Sequence, residues 1–136
     1  MLKKPLFFVL LTTLVLSLAL AACGGGGGGE TSAVGDAKAG EALFNEAVIV
    51  DQPGCNTCHS LTPDTVIVGP SLAGVATRAE TRVSGESAEE YLRQSILEPD
   101  AYVVEGFQPG VMVQVWAEKL TPEEVDNVVA FLLTLK

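Results

Sequence analysis

The stretch Gly54-Cys55-Asn56-Thr57-Cys58-His59-Ser60 gathers two of the chain's three cysteines and its only histidine within five residues. Two sulfurs spaced by two residues with an imidazole directly behind them call for a shared partner, and a fold must be built around that partner. A structural zinc ion needs four ligands, whereas Cys55, Cys58 and His59 supply three, with no other cysteine or histidine in the domain. A thioredoxin-like redox pair needs a βαβ neighbourhood, which this sequence lacks.

The remaining reading is the attachment pattern of c-type haem. In Cys-x-x-Cys-His the two thiols add across the haem vinyl groups, and the histidine binds iron axially from beneath the ring. Two intervening residues make a turn wide enough to bridge adjacent vinyls. One covalently attached haem c is therefore expected at Cys55, Cys58 and His59. The second axial ligand follows by elimination. No second histidine exists, Met1 belongs to an export segment, and Met112 is the other methionine, in a Gly/Pro-rich loop 53 residues beyond His59.

Residues 1–22 read as that export segment. Lys3 and Lys4 form a positive start, Leu6 to Leu20 is an apolar run broken only by Thr12, Thr13 and Ser17, and Ala21-Ala22 supplies small residues before a cleavage point. The run falls short of the ~20 apolar residues a membrane span needs. Leu20-Ala21-Ala22-Cys23 resembles the lipobox of bacterial lipoproteins, which implies cleavage before Cys23 and acylation of its sulfur. With Cys23 assigned to lipid and Cys55 and Cys58 to haem, no disulfide is left to form. Residues 23–35, with six consecutive glycines from Gly24 to Gly29, read as a flexible linker whose twelve residues after Cys23 span about 20 Å. The domain proper is expected over 36–136, on the extracytoplasmic face of a bacterial membrane.

Of eight basic and 17 acidic residues, Lys3 and Lys4 fall in the removed segment, which leaves six basic and a formal charge of −11. Such a field repels nucleic acid and anionic headgroups and suits a basic protein surface.

Three helices are legible. The first is expected from Asp36 through Ala47 with Ala39, Leu43 and Ala47 on one face. The second begins at a capping box, Ser87 with Glu90, carries Ala88, Tyr91, Leu92, Ser95 and Ile96 as an apolar stripe, and stops at Pro99. The third repeats this pattern, with Thr121 as cap, Pro122 in the first turn, Glu124 closing the box, and Val125, Val128, Val129, Leu132 and Leu133 at helical spacing. No convincing alternating strand appears, although Val66-Ile67-Val68 and 111–115 could be extended. About fifty residues of loop in so small a domain imply that a buried group organises them.

With the haem motif early, the methionine late and a helix at each end, residues 36–136 resemble the class I monohaem cytochromes c. The fold this implies is mainly α, three to four helices with long loops around one covalent haem. Gly40 and Phe44 resemble the family's glycine and aromatic of the N-terminal helix where it crosses the C-terminal one, with Val128 and Phe131 at the matching places. Pro70, in Gly69-Pro70-Ser71-Leu72, is similar to the family proline whose carbonyl accepts the proton of the histidine nitrogen not bound to iron. Members often have proline after the methionine, where this chain has Val113.

Tyr91-Leu92-Arg93-Gln94-Ser95-Ile96 and Val103-Val104-Glu105-Gly106-Phe107 are similar to cytochrome c domains accompanying terminal oxidases and to lipoprotein subunits of the alternative complex III type. The resemblance implies electron transfer, with iron cycling between ferrous and ferric under His59/Met112 ligation, within or beside a respiratory or photosynthetic complex. Arg78, Arg82, Tyr102 and Trp116 are candidates for binding the haem propionates, Arg82 first. The alternatives are a haem enzyme or gas-binding sensor, which needs an open iron position, and a freely shuttling carrier.

Overall fold

The computed structural model describes residues 35–136. The export segment 1–22, Cys23 and the linker up to Val34 lie outside the described residues. In chain order the elements are α1 (Ala37–Phe44), β1 (Val48–Ile49), β2 (Gln52–Pro53), α2 (Cys55–Cys58), α3 (Val75–Ala79), α4 (Ala88–Leu97), α5 (Trp116–Lys119) and α6 (Pro122–Leu132). The domain is mainly helical, as expected, but there are six helices among the described residues where the sequence predicts three to four. The additions are single turns of four or five residues, too short to show a hydrophobic period. The strands, also unforeseen, are an antiparallel pair two residues long, with Val48 opposite Pro53 and Ile49 opposite Gln52.

The long helices begin where their caps dictate. Asp36 accepts from the N–H groups of Lys38 and Ala39 at 2.8 and 3.2 Å. Ser87 and Thr121 each close a reciprocal capping box with Glu90 and Glu124. Bonds from the backbone N–H and hydroxyl of Ser87 hold the Glu90 carboxyl below the usual carboxylate range, and those of Thr121 do the same for Glu124.

The first helix ends sooner than predicted. Asn45 caps it, so Ala47 lies beyond it, and its buried residues are Gly40 and Phe44; Ala39 and Ala47 are exposed and Leu43 half-buried. A 3.6-residue period fits either stripe in so short a helix, and the partner helix decides between them. Gly40 lies directly against the backbone of α6, where a Cβ would overlap the Asn127 carbonyl and lie 2.9 Å from the Val128 nitrogen. The Phe44 and Phe131 rings then meet at 5.4 Å, tilted by 53°. The Asn127 side chain accepts from the Asp36 N–H at 2.6 Å, fixing where α1 starts along α6. Gly40, Phe44, Val128 and Phe131 thus form the helix crossing that the resemblance implies.

α4 packs on the same centre through Tyr91, Leu92 and Ile96. Arg93 joins it to α6 by a 2.7 Å ion pair with Asp126, partly exposed and so contributing no more than about 1 kcal/mol. The core is Phe44, Ile49, Tyr91, Leu92, Ile96, Trp116, Val125, Val128, Val129 and Leu132, with Phe44 and Val129 essentially sealed.

Candidate functional site

The Cys-x-x-Cys-His motif forms the single helical turn α2 with His59 as its C-cap, whose N–H donates to the Cys55 carbonyl at 2.9 Å. Thr57 Oγ1 donates to the Gly54 carbonyl at 2.6 Å, and Asn56 Nδ2 donates to the Asn45 carbonyl at 2.7 Å. The turn is thereby tied to the end of α1. Beyond it the chain doubles back: Val68 and Gly69 donate their N–H groups to the Cys58 carbonyl at 3.2 and 2.9 Å, and Leu72 donates to Ser60 at 2.8 Å. Val66 makes an isolated antiparallel bridge with His59, the one ordered trace of the extended run suggested for 66–68.

This return path carries the Pro70 carbonyl to His59 Nδ1 at 2.9 Å. A carbonyl only accepts, so the ring proton sits on Nδ1 and Nε2 keeps its lone pair. Burial holds the imidazole below its usual pKa, and the Pro70 bond opposes that shift without overturning it. A neutral imidazole with a free Nε2 is the form that binds a metal ion. Gly69 makes the approach possible, since a Cβ there would overlap His59 Cε1 and lie 2.8 Å from Nδ1.

Among the described residues, Cys55 and Cys58 form no disulfide. Burial pushes the Cys55 thiol up to about 11, the opposite of what thiol–disulfide exchange requires. Among the described residues, no three His, Cys, Asp or Glu side chains converge as a metal site.

Cys55, Cys58 and His59 instead open onto a cavity of about 450 Å³, walled mainly by apolar side chains of α1, α4, α5 and α6 and of the loops between them. That volume falls within the roughly 300–1,000 Å³ of cofactor pockets. Met112 lines the same cavity, as do Pro70, Tyr102 and Trp116. Tyr102 stands edge-on to Tyr91 at 5.7 Å.

Arg82 lies apart from this cavity, in an adjoining hollow of about 570 Å³ that shares Val66, Leu72, Tyr91 and Val104 with it. Arg78 lines that hollow too, but its guanidinium is committed to backbone, donating to the carbonyls of Ser71 at 2.8 Å and Ala73 at 2.5 Å. Arg82 Nε is buried with no hydrogen-bond partner among the described residues. A buried donor of this kind costs ~1–3 kcal/mol unless something accepts from it, which is what an anionic group extending from the cavity would do.

Sequence reasoning missed the contributions of Gly69, Asn56, Asp100 and Gln114. For Gly69 a signal existed, a glycine directly before the proline that bonds the histidine. Asp100 and Gln114 carry none, because Asp100 meets the Gly110 N–H and the Gln114 side chain ten and fourteen residues on, a pairing that only the folded loop creates.

These features define a small helical domain folded around one large apolar cavity whose wall carries a thiol pair and a neutral histidine, the class of proteins that hold a prosthetic group covalently. A family model described as cytochrome c matches residues 37–136, and the chain belongs to the cytochrome c family. The family's prosthetic group is haem c, and its chemistry is haem-based electron transfer. Comparison with curated proteins found no match. The residues present fit haem c: Cys55 and Cys58 at the attachment spacing, a metal-competent His59, an apolar cavity of suitable size, and a buried Arg82 Nε without a partner among the described residues in the adjoining hollow.

Proposed function

We propose that the protein is a membrane-tethered electron carrier, held by lipid at Cys23, in which His59 and Met112 would hold the iron of a haem c. The observation that carries the ligation is that both residues line one cavity while Pro70 leaves His59 with a free Nε2. Haem c supplies, when bound, a one-electron ferrous/ferric couple. Cys55 and Cys58 anchor it, and Pro70 fixes the imidazole and raises its basicity. Met112, a soft thioether, would hold the iron beside His59, favouring its reduced state and excluding a substrate or gas. Arg82, from the adjoining hollow, would be the partner of a propionate, which would satisfy its buried Nε.

Met112→Ala is expected to abolish the near-infrared sulfur-to-iron absorption, lower the midpoint potential and let carbon monoxide bind the reduced protein. An unaltered spectrum would make Met112 a packing residue. Carbon monoxide binding to the unmodified reduced protein as fast as to Met112→Ala would move the reading to an enzyme or sensor.

The tether and the partner rest on the sequence around Cys23 and on the acidic charge. Cys23→Ser should release the haem-bearing protein into the soluble fraction after a high-salt wash with its spectrum intact, and a variant that stays in the membrane pellet overturns the anchor. Within the membrane, the short linker and the likeness to respiratory-complex domains favour a fixed or closely held subunit of an electron-transport complex. In mild detergent the wild type should therefore leave the membrane together with redox subunits, and its recovery alone would favour a shuttle.

A further inference from the structure

We propose that Asp100 and Gln114 form a clamp that holds the Met112 loop against the cavity, acting as positioning residues for Met112 as a ligand of the haem iron. The inference rests on the reading of Met112 as that ligand. The segment from Gln108 to Gln114 belongs to no helix or strand, so no regular hydrogen-bond ladder fixes it. It also lacks the proline that often follows the methionine in cytochromes c, having Val113 there. A free loop of this kind would let the thioether swing away.

One carboxylate restrains it from both sides. Asp100 Oδ1 accepts from the Gly110 N–H at 2.8 Å, two residues before Met112, and from Gln114 Nε2 at 3.2 Å, two residues after it. The same Gln114 nitrogen donates to the Met112 carbonyl at 3.0 Å. The methionine's own backbone and both its flanks are thus joined to a single anchor.

The anchor is firm because of where it sits. Asp100 follows Pro99 at the end of α4, whose Tyr91, Leu92 and Ile96 are buried in the core, and the Ala101 N–H donates to the Glu98 carbonyl at 2.9 Å to close the turn carrying it. Asp100 itself lines the cavity. Bonds to an ionised acceptor are stronger than neutral ones, but Asp100, Gly110 and Gln114 are all exposed, so each bond works at the weak end of its range. Together they shift the balance between a seated and a displaced Met112 by roughly three- to tenfold.

The test compares carbon monoxide binding to the reduced holoprotein and the near-infrared sulfur-to-iron band in the oxidised one, for wild type, Asp100→Ala, Asp100→Asn, Gln114→Ala and Met112→Ala. Asp100→Ala should raise the carbon monoxide association rate three- to tenfold and weaken the band, and Gln114→Ala should do the same to a smaller degree. Asp100→Asn keeps an acceptor oxygen in place and should stay within about twofold of wild type, because geometry rather than charge is what the clamp supplies.

If both alanine variants match wild type while Met112→Ala binds carbon monoxide, the clamp is wrong and the ligation stands. If Met112→Ala itself behaves as wild type, the ligand reading has failed and the clamp falls with it. Gln114 is exposed and away from the core, so its variant remains informative should Asp100→Ala fold poorly.

Discussion

A chain with both Cys55 and Cys58 replaced by serine is expected to carry no covalent haem and to be largely unfolded at 25 °C. The reason lies in how the core is shared. Phe44, Tyr91, Leu92, Ile96, Trp116, Val128 and Leu132 belong to the buried core and also line the cavity of about 450 Å³. The apolar group filling that cavity is therefore a structural part of the core. At ~24 cal/mol per Å³, leaving such a volume empty would cost on the order of 10 kcal/mol, which is comparable to the roughly 5–15 kcal/mol that stabilises a domain of this size. Far-ultraviolet circular dichroism, with haem detection on denaturing gels, reads both effects. A haem-free variant that melts cooperatively at the wild-type temperature would mean that the protein walls close the cavity unaided.

How much of this was legible beforehand varied with the range of the interaction. Helix starts were readable because a cap acts over three residues: Asp36, Ser87 and Thr121 all begin helices where their side chains indicate. The buried face of α1 was not, because it depends on α6, about ninety residues away, and only the family likeness pointed to Gly40 and Phe44. The short turns α3 and α5 are held by packing around the cavity, and no propensity signal marks them. Of the site, the motif and Met112 could be read from residue types alone, since the chain offers so few metal-binding groups. The supports of the site were invisible for the opposite reason. The Pro70 carbonyl, the Gly110 N–H and the Asn45 carbonyl are backbone groups that every residue type presents alike, and only the folded loops show which of them meet His59, Asp100 and Asn56.

Gly40→Ala is expected to destabilise the domain by about 3 kcal/mol, although the same change in an exposed helix would stabilise it by up to ~1 kcal/mol. The sign reverses because of what the new methyl group meets. Around Gly40 the obstacles are the Asn127 carbonyl and the Val128 nitrogen, backbone atoms of α6 that cannot rotate aside as a side chain could. Relief requires the two helices to part, and parting them loosens the Phe44–Phe131 contact and the Asp36–Asn127 hydrogen bond together. At roughly 4–8 °C per kcal/mol for a domain of about this size, the melting temperature should fall by about 12–24 °C. Ala42→Gly, at an exposed position of the same helix, provides the comparison and should cost no more than about 1 kcal/mol. The damage should also reach the site, since Phe44, Val128 and Leu132 line the cavity from these two helices. Carbon monoxide should then enter the reduced Gly40→Ala protein faster than wild type, whereas Ala42→Gly should leave that rate unchanged. Equal melting temperatures for Gly40→Ala and wild type would show that the two backbones do not touch at this crossing.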